Sequence, residues 1–499
     1  MNVLLLYPEF PDTFWSFKHA LRFVLKKASS PPLGLITVAA MLPDNWNKRL
    51  VDLNVRKLKD SDLKWADIVF VSAMIIQKKS VRDVFSRCKN FQKKIVAGGP
   101  LFTAEYQEFE NLADHFVLNE AEITLPQFLQ DFQNGIAKKV YKTEEFCDIK
   151  ESPVPLWNLI DLNKYDSLSI QFSRGCPFNC DFCNITALLG HKPRLKTAQQ
   201  IIAELDLMYS LGWRRNIFFV DDNFIGNKRI LKDEILPALI EWRKGKIGCH
   251  FLTEASINLA DDEELMQLMV TAGFKSVFVG IETPSEEGLA ECQKTQNKNR
   301  NLVESVKEMQ HSGLQVMGGF IVGFDSDTES IFKRQIEFIQ QSGIVTAMVG
   351  LLQAPIGTRL YQRLKTEGRI ISDMSGDNAD GSTNIITKMD FQSLKNGYFE
   401  ILKEIYSPKL FYERVANCLA SYQPAIQTVQ LEASEIYAFL RSIWKLGILG
   451  KERKYYWKLF FHTLFHDPKK FPLAITFSIY GYHFRKILEN NCKLENIRI

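Results

Sequence analysis

Twice along the chain, apolar runs of four to eight residues alternate with helical stretches, a pattern that allows little besides parallel sheets covered by helices. The first set lies at residues 3–7, 49–52, 68–72, 94–97 and 115–118, with helices such as 33–42 and 81–90 between them. It predicts an open α/β domain over 1–145. The prolines of Glu151-Ser-Pro-Val-Pro-Leu-Trp157 mark a linker, 146–165. A second set, at 168–172, 216–220, 250–253, 276–279, 315–322 and 346–351, alternates with helices such as 198–211 and 263–272. It predicts a partial (β/α)6 barrel over 166–365, with its chemistry at the carboxyl ends of the strands. The remainder, 366–499, opens with a loop at 376–383 and reads as mainly α-helical.

Composition narrows the function. Hydrophobic residues at 46% and charged residues at 24% fit an ordinary globular protein, and a net charge of +4 is too small to argue for nucleic acid. Six of the nine cysteines are scattered without spacing, which is no secreted disulfide framework and points to a reducing, cytoplasmic setting. The start, MNVLLLYPEF, does not read as a signal peptide, and no window approaches ~18 uninterrupted apolar residues.

The other three cysteines crowd into SRGCPFNCDFC, directly after a predicted strand. Buried structural thiols are not usually spaced Cys176-x3-Cys180-x2-Cys183 in a loop. Structural zinc would want a fourth ligand and a second ligand pair, giving a zinc-stabilised, non-catalytic binding protein as the rival reading. A redox Cys-x-x-Cys leaves Cys176 idle. An iron–sulfur cluster fits best, since thiolates are its usual ligands and three of them leave one iron of a [4Fe-4S] cluster open.

This spacing at the first strand of a β/α barrel resembles the radical S-adenosylmethionine (SAM) enzymes. The resemblance implies that the open iron chelates SAM, whose reductive cleavage gives a 5′-deoxyadenosyl radical. It also implies a reductant such as a flavodoxin or ferredoxin. Candidate SAM contacts are Phe178 and Phe182 in the loop, Asp221, Asp222 and Asn223 after the second strand, Glu254 after the third, and Glu282 in Gly-Ile-Glu after the fourth. Gly319, Ile321 and Gly323 match the family's Gly-x-Ile-x-Gly element.

The N-terminal domain resembles the Rossmann-like domain of the cobalamin-dependent members. Candidate cobalamin contacts are Tyr7, Pro8, Pro32, Leu33, Gly34, Asp52, Asn54, Ser72, Met74, Gly98, Gly99, Pro100 and Glu120. No Asp-x-His-x-x-Gly is present, so the resemblance implies a cobalt without a protein histidine beneath it. Thr383-Asn384, Lys388-Met389, Tyr406–Lys409 and Tyr412-x-Arg414 resemble the C-terminal domain of unknown function in the hopanoid 2-methylase-like branch. The implied activity is methyl transfer from SAM, through methylcobalamin, to an unactivated carbon of a small-molecule or lipid-like substrate. A non-methylating rearrangement, cyclisation or oxygen insertion is the alternative. Residues 444–486 mix Lys and Arg with aromatics. They read either as a peripheral membrane contact or as helices packing on the barrel with Lys stems over rings, and packing is preferred.

Overall fold

The computed structural model describes residues 1–424 and 433–494, with side chains placed through 491. The chain divides into two compact units: Met1–Pro11, Lys27–Pro177 and Asn184–Trp213 form the first, and Asp12–Lys26, Phe178–Cys183 and Arg214–Ile499 the second.

In the first unit, β1 (Asn2–Tyr7), β2 (Asn47–Asp52), β3 (Ile68–Ser72), β4 (Lys94–Gly98), β5 (His115–Val117) and the two-residue β6 (Val140–Tyr141) form one sheet. Its order is β2-β1-β3-β4-β5-β6 and every pairing is parallel. The central strands are apolar at nearly every position because both faces are covered. On one face Leu4, Leu6, Val69, Val71 and Ile95 pack with Val84, Phe85 and Cys88 of the helix Lys78–Asn90. Three short strands follow: β7 (Ser167–Ile170) and the antiparallel pair β8 (Ser173–Arg174) and β9 (Arg194–Leu195). The cysteine loop leaves β8 through Gly175, whose φ is +99°. A Cβ there would lie 2.9–3.0 Å from the carbonyl oxygens of Gly190, Leu189 and Lys192, so the turn needs glycine.

In the second unit, β10 (Asn216–Phe219), β11 (Phe251–Glu254), β12 (Phe274–Glu282), β13 (Gln315–Val322) and β14 (Ala347–Leu351) pair in chain order, each parallel to the next. The helices Glu263–Ala272, Leu302–His311 and Ser330–Ser342 make crossovers between them. The carboxyl ends therefore line one edge. Phe219, Phe224, Phe251 and Phe274 interlock between strands and their connections.

Beyond the strands come the helices Phe391–Ile405, Pro408–Ser421, Ala433–Ser442, Arg453–His466 and Phe471–Leu494. The buried Arg414 guanidinium ties two of them, donating to the Ile405 carbonyl at 2.8 Å. The loop after β1 packs here too: the Phe14 and Phe17 rings meet Phe484. Among the described residues, no helix is long and apolar enough to cross a membrane.

Candidate functional site

Cys176 belongs to the first unit, Cys180 and Cys183 to the second; all three are half-buried and in no disulfide. The Cys176 N–H donates to the Gly190 carbonyl at 3.2 Å. In the second unit the loop is pinned from two sides. The Asp181 N–H donates to the Cys292 carbonyl at 3.0 Å, and the Asp181 carbonyl accepts from the Leu360 N–H at 3.1 Å. The Arg359 guanidinium pairs with the Asp181 carboxylate at 2.8 Å and donates to the Asn179 carbonyl.

The segment Lys294–Asn297 supports this loop and the end of β12 together. Gln296 Nε2 donates to Cys180 Sγ at 3.8 Å. Lys294 Nζ lies 2.5 Å from Glu282 Oε1, both side chains buried. Burial pulls the ammonium's pKa down, but the Glu282 carboxylate and the Cys180 and Cys183 sulfurs outweigh it and hold the proton on. Asn297 Nδ2 donates to the Gly280 and Ile281 carbonyls at 3.1 and 3.0 Å. Thiols with an N–H donor at Cys180 and a cation beside Cys180 and Cys183 suit an anionic iron–sulfur cluster. Among the described residues no three His, Cys, Asp or Glu side chains converge as a single-ion site. A four-iron cluster is wider than one ion, so its thiolates need not meet at a point.

The strand-end edge of this unit is charged. Glu282 closes β12 with φ at +65°, a strained conformation for a non-glycine residue. A Cβ at Gly280 would collide with the Glu282 carboxylate and the Lys294 amine, so that glycine makes room for the ion pair. After β10, Asp221 is buried and Asp222 half-buried, and Asn223 Oδ1 accepts from the Ser256 N–H at 3.1 Å and hydroxyl at 3.2 Å. Burial, then Asp222 and Asp221, push Glu254 up to about 8, so at neutral pH it is mostly protonated and can donate as well as accept. Phe182 and Ile321 pack on one apolar cluster that contains Cys292, Phe324 and Leu360. Gly319 admits the Phe278 ring, 2.9 Å from where a Cβ would stand. Gly323 forms a turn, its N–H donating to Asp327 Oδ2 at 2.8 Å, and Phe178 is half-buried.

The strand-end edge of the first unit is built differently. Asp52 is buried and its carboxylate accepts from the Tyr165 hydroxyl at 3.0 Å and from Asn54 N and Nδ2 at 2.8 and 2.7 Å. Burial raises its pKa against those bonds. Asn54 also donates to the Pro8 carbonyl at 3.2 Å and accepts from the Phe10 N–H at 2.8 Å. The buried Gln77 amide donates to the same Pro8 carbonyl at 2.5 Å and accepts from the Met74 N–H at 2.8 Å. The loops after β1, β2 and β3 are thus tied by two amides. Tyr7 and Ser72 are half-buried beneath them, while Gly34, Met74 and Pro100 are exposed. Pro32 and Leu33 lead into the helix Leu33–Met41. Gly98 would press a Cβ to 2.7 Å from the Val117 carbonyl, and Gly99, at φ +89°, would press one to 2.5 Å from Ser72 Oγ. Glu120 faces an ion network: Arg194 lies 2.6 Å away and Arg174 3.5 Å, and the Cys147 N–H donates to it at 2.6 Å. The nearest histidine in the sheet, His115, starts β5 at the opposite edge and bonds the Lys138 carbonyl.

Sequence reasoning missed Lys294, Gln296, Asn297, Gln77 and Tyr165. Each is an ordinary polar residue in a short connection between the main elements, without spacing to mark it.

Comparisons with known proteins agree with this architecture. Residues 170–339 match the radical SAM superfamily, and residues 358–496 match a domain of unknown function, DUF4070. An uncharacterized methyltransferase of Synechocystis sp. is 40% identical, over 98% of this chain and 92% of its own. The hopanoid C-2 methylase of Rhodopseudomonas palustris is 34% identical, over 92% of this chain and 88% of its own. Among solved structures, the cobalamin-dependent radical SAM enzyme OxsB, with aqua-cobalamin bound, shares the fold at TM-score 0.61 and 15% identity, over 100% of this chain and 81% of that one.

Proposed function

We propose a substrate class and residue roles for this chain, which belongs to the radical SAM methyltransferases that carry a DUF4070 region, the family of the hopanoid C-2 methylase. It is an enzyme of that class, a methyltransferase. Our reading is that it methylates an unactivated carbon of a polycyclic lipid of the hopanoid kind. Likeness to the hopanoid C-2 methylase over 88% of that protein, C-terminal region included, carries the reading.

When bound, the cluster with SAM supplies the hydrogen-abstracting radical, and cobalamin carries the methyl group to a carbon that offers no nucleophile. The chain's own part is to hold and orient. Cys176, Cys180 and Cys183 are the cluster ligands. Gln296 donates to the Cys180 sulfur, and Lys294 keeps positive charge beside it. Lys294 also fixes Glu282 in its left-handed turn, where a carboxylate suits an ammonium group. Glu254, mostly protonated, is suited to a hydroxyl-bearing sugar. Asn54 and Gln77 hold the loops of the first unit in the shape that receives cobalamin, with Gly99 keeping the backbone close.

The test is an anaerobic assay on a hopanoid substrate, with reductant. 5′-Deoxyadenosine and S-adenosylhomocysteine should appear together with a product heavier by one methylene. 5′-Deoxyadenosine alone, with an unmethylated product, would instead favour a rearrangement or oxygen insertion. Cys180→Ala should lose the iron and sulfide of the cluster and abolish 5′-deoxyadenosine, while cobalamin stays bound. Cleavage surviving in that variant would remove the cluster assignment.

A further inference from the structure

The helix Arg453–His466 has two apolar faces where a surface helix needs one. Tyr456, Leu459 and Phe460 are buried beneath it. Phe461 and Phe465 point the other way, 49% and 73% exposed. Packing on the barrel, the reading preferred from sequence, accounts for the first set and leaves the second unexplained. Lys454, Lys458, Phe461 and Phe465 follow at intervals of four, three and four residues, so cations and rings share one outward stripe.

The stripe is ordered and continuous with its neighbour. Phe465 stacks on Phe461 at 6.2 Å and Phe461 on Trp457 at 5.4 Å. Trp457 Nε1 donates to the Gly447 carbonyl at 2.9 Å, joining the rings to the turn Ile443–Ile448. Trp444 within it and Leu449 just after it are again exposed, and Leu440 is 58% exposed on the helix Ala433–Ser442 just before. Contiguous exposed apolar surface of this kind marks an interaction site.

Charge names the partner. Between residues 441 and 470 the chain carries eight Lys and Arg against two acids. Both acids are engaged: Glu452 is buried and pairs with Arg485 at 2.7 Å, and Asp467 pairs with Lys470 at 2.9 Å. The result is an apolar strip flanked by uncompensated cations. Aromatic rings seat at the boundary between headgroups and acyl chains while lysines reach the headgroups. We propose that this face docks on the headgroup layer of a bilayer containing anionic lipid. A helix lying in the surface satisfies these contacts without crossing. The proposal does not depend on the methyl-transfer reading, though a lipid substrate would be met on such a surface.

The test is sedimentation of the full chain with phosphatidylcholine vesicles, with and without phosphatidylglycerol, at low and high salt. The chain should pellet with the anionic vesicles at low salt and be released by high salt. Lys454→Gln with Lys458→Gln should weaken partitioning about thirtyfold, from the usual contribution of each cation near an anionic surface. Phe461→Ser with Phe465→Ser should abolish it even at low salt. These side chains are exposed, so circular dichroism and 5′-deoxyadenosine formation should be unchanged in both variants. Failure to pellet, or equal pelleting by wild type and variants, would overturn the proposal. So would a wild-type dimer that the Phe variant converts to monomer, which would make the face an interface between copies.

Discussion

The chain presents two edges made of the carboxyl ends of parallel strands, and the loops nearest the middle of each are held by different means. In the first unit the loops after β1, β2 and β3 are tied by neutral amides, Asn54 and Gln77, that share the Pro8 carbonyl. Exposed positions there include Glu9, Gly34, Met74, Pro100 and Asn119. In the second unit the edge is ionic, with Lys294 against Glu282 and with Asp221 and Asp222 beside Glu254. A broad, largely neutral group is best received by preformed loops, and a zwitterion by placed charges. On the proposed reading, the same strand-end geometry would serve two unlike ligands through what is set on it.

Each half of that contrast can be broken. The largest effect is expected from Lys294→Met, which leaves the Glu282 carboxylate buried and unpaired; chemical denaturation should show a loss of about 3–5 kcal/mol. Adding Glu282→Gln should recover much of it, and a double variant as unstable as the single would mean the ion pair is not what orders the edge. Next comes Gln77→Leu, which strands the Met74 N–H and leaves the Pro8 carbonyl to Asn54 alone, at a cost of about 1–3 kcal/mol. Spectrophotometric titration should find cobalamin bound roughly tenfold or more weakly, with SAM cleavage unaffected. Unchanged cobalamin affinity would remove the first edge as its seat.

The smallest effect, taken per pH unit, is a pH dependence. Glu254 keeps its proton up to about 8 in the folded chain, whereas an unfolded glutamate releases it near ~4.3. Between those values the folded state binds more protons, so stability falls as pH rises, by about 1.4 kcal/mol per unit at most. Glu254→Gln should flatten that slope in thermal melts recorded from pH 5 to 8 (about the window just given). A slope equal to wild type would place the sensitivity elsewhere.

Much of this was legible from periodicity. The run at 68–72 coincides with β3, and 315–322 with β13. The run at 276–279 grew to Phe274–Glu282, because an alternating strand carries half-exposed residues such as Lys275 that break an apolar run. β6 has two residues, too few for any period. The cysteine loop was legible because thiols are rare and their spacing is chemical. Its supports were not: Gln296 lies in Thr-Gln-Asn-Lys-Asn-Arg-Asn, where every residue is polar and only the fold returns one of them to Cys180, 116 residues away. Phe460 and Phe461 make the same point, since adjacent identical residues end up buried and exposed.

The pins on the cysteine loop bear on how the protein can be divided. The Leu360 N–H and the Arg359 guanidinium hold Asp181 and Asn179. Arg359 and Leu360 fall inside the region matched to the domain of unknown function, which begins at residue 358. A recombinant barrel ended at that border would keep all three thiols and lose two of the latches on their loop. The border drawn by sequence families is therefore a poor place to cut. The C-terminal region, whatever else it contributes, starts as a support of the cysteine loop rather than as cargo attached to it.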